Sequence, residues 1–175
     1  MQKGDLLYEG KAKSVYRTEN EGVVLMEFRD DITAFDGGKK DSLETKGCVN
    51  ARVSASLFRL LMEHGIPTHF IELLQDRFMR VRALNMIPLE VIVRNVAAGS
   101  MSRNYPIAEG TPLNPPVIVI DYKDDSRHDP MLNDDIIVAL GLATAAELKK
   151  IKKIALEVNR LLVDLMAAQG ITLVD

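Results

Sequence analysis

Met86-Ile87-Pro88-Leu89-Glu90-Val91-Ile92-Val93-Arg94, with Ala97-Ala98-Gly99-Ser100 after it, decides how this sequence folds. Successive side chains of a strand point to opposite faces. Leu89, Val91 and Val93 therefore share one face, and Glu90, Ile92 and Arg94 share the other. The first face calls for an apolar core. The second carries an acid and a base about 13 Å apart, at roughly 3.3 Å per residue. At that separation their mutual attraction offsets little of the cost of burial, so each charge needs a local partner. A cleft that binds a cation at Glu90 and an anion at Arg94 supplies such partners. A solvent-facing sheet surface with one acid and one base is the alternative. Gly99-Ser100 adds backbone donors and a hydroxyl beyond the strand end, which suits an anion.

Upstream, the first third reads as β. Leu6-Leu7-Tyr8, Ser14-Val15-Tyr16 and Val23 to Phe28 are short β-prone runs separated by the turns Glu9-Gly10-Lys11 and Glu19-Asn20-Glu21-Gly22, the pattern of a meander. Residues 29–48 are polar and rich in Gly, Asp and Lys, the composition of a functional loop. Val53, Leu57, Leu60 and Leu61 then recur at helical spacing up to His64-Gly65-Ile66-Pro67, where Gly65 suits the left-handed residue after a helix and Pro67 cannot continue one. Strand-like sequence follows from His69 to Arg82. Ala83-Leu84-Asn85 reads as a connector, which divides the chain into lobes 1–85 and 86–175.

Downstream, Val117 to Ile120 reads as a strand running into the polar loop Asp121 to Pro130. Asn133 is placed to cap a short helix ending near Gly141. The clearest helix spans Thr144 to Gln169. Thr144 with Glu147 forms a capping box. Leu148, Ile151, Ile154, Ala155, Val158, Leu161, Leu162 and Leu165 make one apolar stripe, and Gly170 ends it. Ile171-Thr172-Leu173-Val174-Asp175 reads as a strand without a closing turn. The whole is α+β in two lobes.

Composition bounds the function. The 175 residues carry a formal net charge of -3 and include one cysteine, Cys48, so no internal disulfide forms, which fits a reducing cytoplasm. No basic excess points to nucleic acid. The N-terminus lacks a signal-peptide core, and no apolar stretch reaches the roughly 20 residues of a membrane helix.

Three further segments carry chemistry-bearing residues. Gly10-Lys11-Ala12-Lys13 joins backbone that a ligand can approach closely to two ammonium groups suited to phosphate, although a solvated hairpin tip has the same composition. Asp121-Tyr122-Lys123-Asp124-Asp125-Ser126-Arg127-His128-Asp129-Pro130 offers carboxylate ligands for Mg²⁺ and a lysine for phosphate, or is a hydrophilic loop. Asp30-Asp31-Ile32-Thr33-Ala34-Phe35-Asp36-Gly37-Gly38 again sets carboxylates beside glycine, as a plain surface turn also does. His64, His69 and His128 lack zinc spacing, and no nucleophile elbow or dinucleotide-binding glycine pattern is present.

Taken in order, these segments resemble the SAICAR synthetase family. The resemblance rests on Tyr8 to Lys13, on Phe28 to Gly37, on Lys46-Gly47 and Asn50, on Ile87 to Arg94 with Gly99-Ser100, on Leu113-Asn114-Pro115-Pro116, and on His128-Asp129-Pro130. It runs from about residue 6 to the end of the chain. It implies a two-lobe α+β fold, with a first lobe like the small lobe of protein kinases and ATP bound between the lobes. It also implies a reaction that uses ATP and Mg²⁺ to join L-aspartate to an aminoimidazole carboxylate ribonucleotide. The partners it implies are those small molecules, with no nucleic acid and no membrane, and a homo-oligomer is compatible with it.

Residue by residue, the resemblance gives Lys11 and Lys13 to the ATP phosphates, with Gly10 and Ala12 shaping the loop. Met86 falls at the hinge beside adenine, and Lys123 reaches the nucleotide. Arg94 and Ser100 hold the ribonucleotide phosphate or its neighbouring groups. Glu90 and Asp129 bind a metal that orients the imidazole carboxylate, and Asp36 lies near the substrates. The family continues beyond the strand that ends here at Asp175, with further metal ligands and a basic contact. The expectation is therefore an incomplete second lobe and weak or absent ligase turnover by this chain alone. A nucleotide-binding module of the same fold without turnover is the competing reading.

Overall fold

A computed structural model describes residues 3–34, 39–75 and 77–175 of the protein. The chain divides into two compact units, Met1–Asn85 and Met86–Asp175.

In the first unit, β1 (Leu6–Glu9), β2 (Lys13–Arg17), β3 (Val23–Phe28), β6 (Phe70–Leu73) and β7 (Phe78–Arg82) form an antiparallel sheet in the order β1-β2-β3-β7-β6. The long insertion between β3 and β6 holds a two-stranded hairpin, β4 (Asp31–Ala34) with β5 (Lys39–Ser42), and the helix α1 (Lys46–Glu63). The segment 29–48, read from its composition as a functional loop, thus holds two strands and the start of α1 among its described residues. Hydrogen bonding between two polar strands needs no apolar alternation, so the pattern did not announce it.

The core lies between one face of the sheet and α1. Phe28, Ala51, Ala55, Phe70, Met79 and Val81 are buried there, with Val24, Met26, Phe58 and Leu73 packed around them. The face of α1 that touches the sheet is small, Gly47, Ala51 and Ala55 at four-residue spacing, joined by Leu61. Val53, which the helical spacing placed in the apolar stripe, is 49% exposed. Small residues let the helix lie close to the strands, so it buries its backbone where larger side chains would hold it off.

The start of α1 is held from outside the helix. Thr45 at its N-cap adopts a left-handed φ of 74° and makes no side-chain cap. Instead the Gly47 N–H donates to Asp30 Oδ1 at 2.7 Å, and Arg77 pairs with the other Asp30 oxygen at 2.7 Å. The Gly47 N–H, with help from the Arg77 guanidinium, holds the Asp30 carboxyl below the usual carboxylate range against an opposing desolvation. A depressed carboxylate stabilises the fold above its ordinary pKa and loses that contribution as pH falls through the lowered value. Asp30→Asn is expected to flatten the acid side of the stability–pH profile, starting near the ordinary Asp value of about 4. Urea denaturation of both proteins across that range checks it. An unchanged acid limb would remove Asp30 as the cap of α1.

In the second unit, β8 (Leu89–Val96) pairs antiparallel with β9 (Pro112–Tyr122). The regular ladder runs from Leu89↔Tyr122 to Arg94↔Val117, and an irregularity follows before Val96↔Pro112. The strand predicted at Val117 to Ile120 thus extends both ways. Its prolines lie in the irregular part, where fewer ladder donors are required. The short helix α2 (Ser100–Asn104) leaves the end of β8, and α3 (Asp134–Ala139) and α4 (Ala145–Ala167) follow β9. Asn133 Oδ1 accepts from the Ile136 N–H, and the Thr144–Glu147 capping box is formed.

A two-stranded sheet is marginal by itself. Ile120, Ile137, Ala143 and Leu148 are buried together, with Leu89, Val91, Ile118, Leu132 and Leu142 around them, so the helices cover one face of the pair. Within the apolar stripe of α4 sits Asn159, buried at 8% exposure. Its amide exchanges hydrogen bonds of 2.8 and 2.9 Å with Asn95 on β8. A reciprocal amide pair is satisfied only at one relative position of helix and strand, so it fixes the register between them. Residues 171–175, which alternate like a strand, form no assigned strand. The Val174 carbonyl accepts from both Asn95 N–H and Val96 N–H at 2.8 and 3.2 Å, and that anchors the segment beside β8.

Candidate functional site

In the first unit, Gly10 to Ala12 form the loop between β1 and β2, and Lys13 opens β2. The Gly10 N–H donates to the Lys13 carbonyl at 2.8 Å, and the Arg29 N–H donates to the Ala12 carbonyl at 2.9 Å. The loop is thus fixed from both ends. A Cβ on Gly10 would approach the Tyr8 ring to 3.0 Å, so this turn admits little beyond glycine without moving the tyrosine. Lys11, Ala12 and Lys13 are exposed. The Lys13 ammonium lies 5.7 Å from the centre of the Phe28 ring. Burial, with a further push from Lys13, lowers the pKa of His69, which stands edge-on to Phe58 at 5.0 Å.

The second unit has a cavity of about 480 Å³ lined by Arg94, Ser100, Tyr105, Asp121, His128 and Asp129 among others. Three residues that the resemblance assigned to the substrate or to the metal that orients it, at positions 94, 100 and 129, thus meet in one space. Arg94 is only 11% exposed and is gripped on several sides. Its Nη1 donates to Asp175 Oδ2 at 2.9 Å and to the Ala98 carbonyl at 3.4 Å, and its Nη2 reaches Ser100 Oγ at 3.4 Å. The partner that spacing demanded for Arg94 is therefore a carboxylate from the end of the chain.

Glu90 meets Lys123, whose Nζ lies 3.5 Å from Glu90 Oε2 and 2.8 Å from Asp129 Oδ2. One ammonium thus stands between the two carboxylates that the resemblance assigned to a metal. Asp129 Oδ1 also accepts from the Asp124 N–H at 2.8 Å. His128 and Asp129 both adopt left-handed backbone, φ 59° and 44°, a strained conformation for consecutive non-glycine residues and one that turns the Asp129 carboxylate inward. Among the described residues no group of three or more His, Cys, Asp or Glu forms a ready metal site. The hard oxygen pair of Glu90 and Asp129, already gathered round a cation, fits Mg²⁺ in charge and donor type.

Asp121 is a site residue that the sequence reading left in a loop. It lies on β9 directly opposite Glu90 and lines the cavity with Asp129. Burial and the facing Glu90 push its carboxyl above the usual range, Asp129 adds to the push, and Arg94 and Lys123 pull it back. Only the strand register shows this, although the alternation Val117, Val119, Asp121 matches that of Glu90, Ile92, Arg94. Met86, the first residue of the second unit, is 81% exposed. Asp36 lies outside the described residues. Among the described residues no helix is long and apolar enough to cross a membrane.

A nearly buried arginine shares one cavity with Asp129, an arrangement suited to small anionic molecules. The family model for SAICAR synthetase matches residues 6–175, and the chain belongs to that family. Its members carry out an ATP-dependent aspartate ligation of purine biosynthesis. The phosphoribosylaminoimidazole-succinocarboxamide synthase of Methanoregula boonei is 68% identical over the whole chain, which spans 68% of that relative's length. A crystal structure of the synthase from Ehrlichia chaffeensis superimposes with a TM-score of 0.94 at 41% identity, covering 97% of this chain and 72% of that one. A type-2 SAICAR synthetase in complex with ADP gives 0.91 at 47% identity, covering 95% and 71%. These likenesses favour a ligase over a module without turnover.

Proposed function

We propose that this chain joins L-aspartate to the carboxylate of 5-amino-1-(5-phosphoribosyl)imidazole-4-carboxylate at the expense of ATP, giving SAICAR. The observation that carries this reading is the cavity that unites Arg94, Ser100 and Asp129. Arg94 and Ser100 receive the ribonucleotide phosphate, for which a planar guanidinium and a hydroxyl are suited donors. Glu90 and Asp129 would hold Mg²⁺, which when bound would supply positive charge beside the imidazole carboxylate. On the first unit, Lys11 and Lys13 grip the ATP phosphates while the Gly10–Ala12 backbone lets them approach. Met86 lies against the adenine and Lys123 against the nucleotide. Asp36 attends the substrates.

A carboxylate resists attack by an amine because it carries a full negative charge and has no leaving group. Transfer of the γ-phosphoryl group to one carboxylate oxygen releases ADP and creates an acyl phosphate. The aspartate amine then attacks the carbonyl carbon, the C–O bond to phosphate breaks, and the amine loses a proton. Such transfers depend on positioning and on neutralising the phosphate oxygens, the work assigned here to lysines, arginine and a bound divalent ion. The free thiol Cys48 agrees with a reducing, cytoplasmic setting.

Two measurements test the reading. ADP release that requires both L-aspartate and the ribonucleotide supports it, and ADP release indifferent to either sinks it. Lys13→Ala is expected to weaken MgATP binding about tenfold or more, because a charge-assisted phosphate contact is lost. Calorimetry checks this, and an unchanged Kd would remove Lys13 from the nucleotide site.

A further inference from the structure

His128 and Asp129, with φ of 59° and 44°, are consecutive left-handed residues without glycine. Such strained backbone persists only where its surroundings over-determine it. The base of this turn is closed by the Tyr122 N–H, which donates to the Pro130 carbonyl at 2.9 Å. Inside the turn, the hydrogen bonds converge on Asp124. Its carbonyl accepts from the Arg127 N–H at 2.9 Å and from the Asp129 N–H at 3.3 Å. Its carboxylate accepts from the Ser126 N–H at 3.0 Å and from the Ser126 hydroxyl, and it pairs with the Arg127 guanidinium at 3.0 Å. Its own N–H donates to Asp129 Oδ1 at 2.8 Å.

Asp124 therefore ties the single 3-10 turn Asp125–Arg127 together with its side chain, and holds Asp129 with its backbone. Asp124 does not line the cavity, whereas Asp129 lines it together with Arg94 and Ser100. A site carboxylate keeps one orientation only when a supporting group fixes it. We propose that Asp124 is a positioning residue for the ribonucleotide site: its carboxylate builds the turn, and the turn aims Asp129 into the cavity. The bonds from Ser126 carry the effect. The Arg127 pair adds little, because that guanidinium is 71% exposed. The assignment rests on the functional reading of Asp129 above.

A double-mutant cycle on binding of the aminoimidazole carboxylate ribonucleotide, read by calorimetry in Mg²⁺ buffer, tests it. Asp129→Ala is expected to raise the Kd about tenfold or more, and Asp124→Ala about fivefold or more, as lost hydrogen bonds do. In the Asp129→Ala background, Asp124→Ala is expected to add less than about twofold, because the group it positions is gone. Asp124→Asn keeps an acceptor oxygen for Ser126 and is expected to stay within about twofold of the unaltered protein, since only the exposed Arg127 pair is lost. A purely structural defect would add in full to Asp129→Ala. Three results overturn the inference and leave the functional reading standing: no loss in Asp124→Ala, the same loss in both backgrounds, or a loss in Asp124→Asn equal to that in Asp124→Ala. Unchanged binding in Asp129→Ala overturns the reading of Asp129, and the inference falls with it.

Discussion

Gly47→Ala is expected to cost roughly 3 kcal/mol of folding stability, the upper part of the range for overpacking a rigid site. A Cβ at this position would press on the Phe28 carbonyl oxygen, closer than real Cβ atoms approach, and would also lie 3.1 Å from Asp30 Oδ1. Neither neighbour can give way cheaply. Phe28 ends β3 and its N–H is bonded to the Arg77 carbonyl at 2.9 Å. Asp30 is committed to the Gly47 N–H and to Arg77. Relief would require α1 to lift from the sheet, which uncovers Ala51 and Ala55. Gly65→Ala gives the comparison, since Gly65 has a φ of 76° and open space around it. That change pays only for left-handed backbone, about 1 kcal/mol. Urea midpoints rank the two. A loss at Gly47 no greater than at Gly65 would refute close packing as the reason for glycine there.

Arg94→Met is expected to weaken ribonucleotide binding about a hundredfold or more and to leave MgATP binding unchanged. Removing one member of a buried, hydrogen-bonded charge pair forfeits its contacts and strands the other member. Here the group left without its partner is, in the complex, the ligand phosphate, while Asp175 at 42% exposure can turn to water. Arg94→Lys is expected to recover little, because a single ammonium cannot reproduce a fork that reaches Asp175, Ala98 and Ser100 at once. Calorimetry with each ligand separates the effects. Ribonucleotide binding that survives in Arg94→Met would take the phosphate away from this cavity.

Local chemistry made much of this architecture readable. The alternation through Leu89 to Arg94 separated a core face from a charged face before any coordinate, because strand geometry leaves no other choice. The capping box at Thr144 and the Asn133 cap announced two helices through short-range hydrogen bonds that depend on nothing distant. By contrast, the β4–β5 hairpin was hidden in polar sequence. The sheet-facing side of α1 was obscured because small residues do not register as an apolar stripe, and Val53 does. The last five residues alternate like a strand yet meet β8 through one backbone carbonyl, that of Val174, and the Asp175 carboxylate.

Within the site, the kinds of residue were legible and the pairings were not. Glu90 and Arg94 could be singled out as charges in need of partners, and Lys123 and Asp129 as candidate phosphate and metal contacts. That one lysine serves both Glu90 and Asp129, that Asp175 secures Arg94, and that Asp121 faces Glu90 depend on registers and turns joining positions far apart in the chain. Periodicity and capping are energies of neighbours along the backbone, so the sequence alone determines them. Ion pairs and cavities are energies of neighbours in space, and only the packed tertiary structure chooses those.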